Sequence, residues 1–166
     1  MPLAVADSFA ASDAARPVGS VCWEHERQTL PTATLPAMAA GDVELVRRAW
    51  EAFARGDVRA ATDVLHPRVR WYGADAEEPD DGCHSREDAL AFIRRAVADG
   101  VTVEAFDVRD AGDRVVVLVQ TQQPPEWGEQ PEPHGEIVTV REGKVVETVV
   151  YATVDEALAA GGQPCG

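Results

Sequence analysis

The sequence predicts an α+β fold in which one curved antiparallel sheet wraps over helices. Three observations carry that prediction. Apolar residues recur at helical spacing near the start of the domain and again over residues 90–97, Val-rich stretches joined by short turns fill residues 101–152, and a capping pattern opens a last short helix. The resulting order is α-α-β-α-β-β-β-β-α, and a sheet layered on helices is the architecture that buries both apolar faces.

In the first helix, Val43, Val46, Trp50 and Phe53 fall at three- and four-residue intervals, with Asp42 as N-cap and Gly56 as the stop. Asp57 caps a second helix that carries Val58, Ala61 and Leu65, and Pro67 ends it by excluding the helical conformation at His66. Two helices joined by Gly-Asp make a tight hairpin. RVRWYG, residues 68–73, alternates Val69 and Trp71 against Arg70 and Tyr72, the period of a half-buried strand. Ser85 with Asp88 forms a capping box for a third helix bearing Leu90, Ile93 and Val97, closed by Asp99-Gly100. Strands are expected at 101–109, 114–122, 135–141 and 144–152, spaced as an antiparallel meander. Thr153 with Glu156 then opens the terminal helix, and Gly161 stops it.

Residues 1–40 differ in character. They hold four of the eleven prolines (Pro2, Pro17, Pro31, Pro36), many Ala and Ser, and no sustained apolar period. Such a segment buries too little surface to offset its ordering entropy, so it is expected to be a disordered extension, with Met38 a possible physiological start. The domain is expected over 41–160, with a tail at 161–166.

Of 166 residues, 29 are acidic and 15 basic, a formal charge of −14. That balance argues against nucleic acid or an anionic membrane as a partner, because both require a basic footprint. No run approaches the ~20 apolar residues needed to span a bilayer. The N-terminal stretch, with Asp7 and Asp13, does not read as a secretory signal. Three cysteines without C-x-x-C spacing, Cys22, Cys83 and Cys165, fit a reduced cytoplasmic compartment better than a disulfide framework or zinc site.

The strings VELVRRAWEAFARGDVRAATDVLHPRVRWYG, HSREDALAFIRRAV, DRVVVLVQ and VREGKVVETVVYATVDEALAAGG, in this order and spacing, resemble the SnoaL-like domains of the NTF2-like superfamily, the group that includes polyketide cyclases and ketosteroid isomerases. The resemblance implies a cone whose sheet and helices enclose one apolar pocket for a small-molecule ligand. It also implies a homodimer through the outer sheet face, where Tyr72 and Tyr151 fall. With Val69, Trp71 and Gly73 facing inward, it places Val117, Val119 and Thr121 there too, together with Glu136, Val138 and Val140, and Thr148, Val150 and Ala152. Fold does not fix function, and the superfamily hosts enzymes and non-catalytic binding modules alike.

Glu136 is the sharpest candidate for chemistry. The resemblance sets it where ketosteroid isomerases hold a neutral carboxylic acid that donates a hydrogen bond to a developing oxyanion. Enclosure among valines disfavours the charged carboxylate, which suits a donor or general acid. The competing reading puts Glu136 at a frayed strand start, in water. The other isomerase residues do not carry over: Gly73 stands where the resemblance expects the catalytic Asp, and Ala49, beside Trp50, where it expects an oxyanion-binding Tyr. The Asp-Arg-Asp set of limonene epoxide hydrolases is likewise unmatched, with Val150 at its last-strand position.

His84, before the third helix, is the second catalytic candidate, since an imidazole titrates near neutral pH; an exposed loop histidine is the plainer account. His134 ends the EWGEQPEPH connection and can reach the rim near Glu136. Trp50 and Trp71 are candidate ligand-contacting rings, although core packing also explains aromatics at these spacings, Phe53 above all. Five carboxylates crowd Asp75 to Asp81, but without calcium-loop spacing they read as a solvated loop. No cofactor is indicated: there is no G-x-G-x-x-G, no P-loop and no His/Cys cluster. An acid/base isomerase, cyclase or lyase acting on an apolar carbonyl compound is the leading expectation. A non-catalytic ligand-binding or dimerisation module is the alternative.

Overall fold

A computed structural model of the chain describes residues 39–76 and 82–162. Within them the order is α1 (Ala39–Ala54), α2 (Val58–Asp63), β1 (Leu65–Gly73), α3 (Arg86–Ala98), β2 (Thr102–Asp110), β3 (Val115–Gln122), a 3-10 turn at Pro125–Trp127, β4 (His134–Arg141), β5 (Lys144–Tyr151) and α4 (Val154–Ala160). The expected extension at 1–40, apart from its last two residues, lies outside the described residues, as do 163–166 of the expected tail and Glu77, Glu78, Asp80 and Asp81.

Local chemistry explains most boundaries. Asp57 caps α2 by accepting from Ala60 N, Ser85 caps α3 by accepting from Asp88 N, and Thr153 caps α4 by accepting from Glu156 N. Gly56, at φ 73°, lets the chain leave α1 and turn directly into α2. α1 itself begins at Ala39, so Asp42 sits inside the first turn rather than at the cap. α2 is shorter than expected and Leu65 opens β1 instead. Pro67 bars helix at His66, and an edge strand tolerates its missing N–H, here within an irregular stretch between Leu65 and Arg70.

The sheet order is β1-β5-β4-β3-β2. From β2 to β5 it is the antiparallel meander the turns foretold, but β1 joins β5 in parallel, so the sheet is mixed. Nothing in the β1 segment could announce this, because its partner lies far along the chain and alternation does not encode direction. The long excursion through α3 and three strands supplies the crossover that a parallel pair needs.

Side-chain alternation gives the sheet two unlike faces. Inward, Val69, Val117, Val119, Val138, Val140 and Val145 pack with Val46, Trp50, Phe53 and Ile93 of the helices. α1 lies against β2 and α3 against β1, so the helices close over the two edges of the sheet while β5 and β4 run through its middle. Outward, Val116, Leu118 and Ile137 form a second cluster beneath α4, with Val154 and Leu158. The approach is close: a Cβ on Gly135 would collide with Ala157 Cβ, and one on Gly161 would stand 2.5 Å from Val116 Cγ2. The outer face expected to pair subunits is therefore roofed by α4 over β3 and β4. On β1 and β5 it carries Arg70, Tyr72 and Glu147, with the Tyr72 hydroxyl donating to Glu147 Oε1 at 3.0 Å and the Arg70 guanidinium 4.9 Å above the Tyr72 ring.

Candidate functional site

The inward faces of β4 and β5 bring the polar members of the predicted lining together. Glu136 lies opposite Val117 on one side and Val150 on the other, and Thr148 lies between Trp71 and Val138. Both are buried: Glu136 is 4 % exposed and Thr148 0 %. The reading of Glu136 as a frayed residue in water is thus set aside, because β4 begins at His134 and both neighbouring strands pair with Glu136 directly.

Polar partners are scarce there. His134 shares the inward face two residues before Glu136, and its Nε2 stands 3.6 Å from Glu136 Oε1, just outside hydrogen-bond reach. Glu136 Oε2 and Thr148 Oγ1 have no hydrogen-bond partner. Native proteins rarely leave such atoms unsatisfied, since each forfeits its hydration without replacement. Here two of them share one face.

Aromatic rings border this patch. Trp71 packs against Trp50 with centroids 6.2 Å apart, and edge-on against Phe92 at 6.1 Å. Trp50 is buried, Trp71 half-buried, and Phe92 37 % exposed, so the row runs from the core to the surface. Backbone hydrogen bonds in both directions tie Trp71 to Cys83, whose thiol burial pushes up to about 11, with Asp88 adding to the effect. Cys83 is therefore a packing residue and no nucleophile near neutral pH.

The remaining candidates fall elsewhere. His84 is exposed; its backbone N–H donates to Asp88 Oδ2, and among the described residues no hydrogen bond or ion pair joins it to Glu136. Val119 is buried beside His134 and Val138 beside Thr148, while Val150 is half-buried beside Glu136. Thr121 is half-buried, paired with Val103 near the far end of β3. A surface hollow of about 710 Å³ runs along the β2 edge between Arg47 and Glu51 of α1, Arg55 just after it, and Phe106 of the strand; Trp50 reaches it, but Glu136 and Thr148 are not in its wall. No group of three or more His, Cys, Asp or Glu able to hold a metal ion occurs among the described residues. No helix among them is long and apolar enough to cross a membrane.

Sequence reasoning gave His134 only the rim and Thr148 only a place in the lining. The i, i+2 spacing of His134 and Glu136 on one strand was the available signal for their pairing. Nothing in the sequence shows that a threonine lacks a partner.

A sequence model of the SnoaL-like domain matches residues 46–148. No curated protein matches the chain. Among solved structures, an NTF2-like protein of unknown function from Burkholderia pseudomallei is 22 % identical, with 72 % of this chain and 95 % of that one covered and a TM-score of 0.57. A candidate ketosteroid isomerase from Kribbella flavida is 15 % identical, with 69 % and 78 % covered and a TM-score of 0.58. A candidate polyketide cyclase from Sinorhizobium meliloti is 15 % identical, with 64 % and 93 % covered and a TM-score of 0.53. At these identities the likeness establishes a shared fold.

Proposed function

The chain belongs to the SnoaL-like domain family, of NTF2-like fold, and from that premise we propose that it binds an apolar, carbonyl-bearing small molecule against the inward face of β4 and β5 and moves a proton on it through Glu136. One observation carries the reading: a carboxyl group 4 % exposed, enclosed by Val117 and Val150, with one oxygen facing His134 and the other unpartnered. A group so placed destabilises the fold, and proteins keep such features at sites that use them.

The chemistry suited to one carboxyl with a histidine beside it is proton transfer next to a carbonyl. The carboxylate accepts a proton from the α-carbon, the electron pair delocalises onto the carbonyl oxygen, and the carboxyl returns the proton to the same carbon or to a conjugated one. The second case is an isomerisation with no net gain or loss of atoms. His134 Nε2, 3.6 Å from Oε1, needs only a small shift to hydrogen-bond that carboxyl.

The test uses a panel of flat cyclic ketones, indanone among them, in deuterated buffer, with α-deuteration followed by NMR. The wild-type chain should accelerate exchange above buffer, and Glu136→Gln should lower that acceleration by about 100-fold. Equal rates in the variant remove Glu136 from the mechanism. No acceleration with any ketone of the panel favours the non-catalytic binding module.

A further inference from the structure

The connection from β3 to β4 holds an indole ring in water. Gln123 N–H donates to Gln130 Oε1 and Gln130 Nε2 donates back to the Gln123 carbonyl, both at 2.9 Å, while Gln123 Nε2 donates to the Glu129 carbonyl at 2.7 Å. Gln120 Nε2 ties down the Pro131 carbonyl at 2.9 Å. Within this clasp Pro124 leads into the 3-10 turn at Pro125–Trp127, and the Trp127 side chain stands exposed. A braced loop that leaves its ring outside adds little to the core; it removes in advance the entropy that binding through that ring would cost.

The charges of the loop have one sign. Glu126, Glu129 and Glu132 are exposed, and no lysine or arginine occurs between Arg114 and Arg141. Among the described residues, none of these three carboxylates takes part in an ion pair or a side-chain hydrogen bond. An indole flanked by free carboxylates suits a guanidinium, which pairs with the acid and lies over the ring.

The same chain carries the complement. The hollow of about 710 Å³ beside the β2 edge has Arg47 and Arg55 in its wall, and among the described residues no ion pair holds either of them. Phe106, left without a partner on β3 where the register slips between Ala105 and Asp107, is 53 % exposed there. Of the acids in the wall, Asp107 is taken up by Arg109 at 2.7 Å, Glu51 lies one turn from each arginine, and Glu104 stands on the strand. An incoming carboxylate is therefore favoured only at the arginine ends of the hollow.

Loop and hollow adjoin. Gln122, the last residue of β3, is in the wall of the hollow and leads straight into the loop. The end of α3 touches both neighbours: a Cβ on Gly56, next to Arg55, would lie 3.7 Å from Val97 Cγ1, and one on Gly100 3.4 Å from Pro124 Cγ. Within one chain, however, no ion pair joins Arg55 to Glu126 or Glu129.

We propose that the β2 edge is an interface between two copies of this chain, in which the Trp127 loop of each enters the hollow of the other. The indole packs on Phe106, and the Glu126 carboxylate pairs with Arg55. Because loop and hollow lie side by side at the Thr102 end of β2, one two-fold axis beside that end allows both exchanges at once, and the assembly closes as a dimer. The second copy also covers the unpaired backbone groups that an edge strand presents. This surface is separate from the outer sheet face, where α4 lies over β3 and β4.

Sedimentation of the full-length chain over a concentration series tests the proposal. The wild type should dimerise, and Trp127→Ala should raise the dissociation constant about 30-fold with an unchanged circular dichroism spectrum, since the ring lies outside the core. Arg55→Glu alone and Glu126→Arg alone should each raise it about tenfold. Mixing the two variants should restore association, because a mixed pair keeps one native contact and reverses the other. A wild type that stays monomeric overturns the proposal. So does a dimer indifferent to Trp127→Ala, which places the interface on another face, or a mixture that associates no better than its components.

Discussion

The two faces of the one sheet are built to opposite rules. Outward, the apolar residues Val116, Leu118 and Ile137 are roofed by α4, Tyr72 and Glu147 find one another, and Arg114 Nε, which has no hydrogen-bond partner, lies 3.5 Å from Asp113 Oδ1. Inward, the apolar packing is just as complete, yet Glu136 and Thr148 keep oxygens without partners. A face that contributes only to stability has no reason to hold such atoms. The contrast teaches where to look for function: on the side of the sheet where satisfaction fails amid good packing.

The largest stability effect should come from breaking the outer face. Gly135→Ala sets a methyl group against Ala157 Cβ and the backbone of α4, and should cost about 2 kcal/mol in urea unfolding, with Ala157→Gly in the same chain recovering part of it. An inner-face change at Glu136 should instead alter exchange, and the contrast is lost if Gly135→Ala abolishes exchange without lowering stability.

Tyr72→Phe should cost about 1 kcal/mol by removing the bond to Glu147. Burial, followed by the bond and charge of Glu147, raises the Tyr72 phenol above its ordinary 10.0. A raised value means the folded state holds the proton more tightly. The contribution is therefore complete below pH 10.0 and is lost as pH climbs through the raised value, so the gap between wild type and variant should narrow only in strong alkali.

The smallest effect belongs to Asp88, which touches neither face. The Ser85 hydrogen bond, then the His84 N–H, hold its carboxyl below the ordinary 3.8. A lowered value means the stabilisation is present above 3.8 and lost as pH falls through the lowered one. Melting curves of Asp88→Asn should fall slightly below wild type at pH 7 and merge with it in strong acid.

Much of this contrast was legible in the sequence. Alternation grouped Glu136 with Val138 on one side of their strand, because a strand fixes side-chain direction from one residue to the next, and the family resemblance set that side together with Thr148 and Trp71. Caps at Asp57, Ser85 and Thr153 were equally visible, since their hydrogen bonds close within three residues. What escaped reading depends on distant pairing. The parallel join of β1 to β5, the early start of that strand at Leu65 and the placement of α4 on the outer face each involve partners remote in sequence. The site divided in the same way: the nearness of His134 to Glu136 lies in their spacing on one strand, whereas the burial of Glu136 between β3 and β5 depends on strands remote in sequence.

The roof over the outer face also sets an order of events during synthesis. Residues 154–160 are made after all five strands, and until they dock, Val116, Leu118 and Ile137 present an uncovered apolar stripe. With no side chain at position 135 to move aside, α4 can lie flat on the strand and cover that stripe.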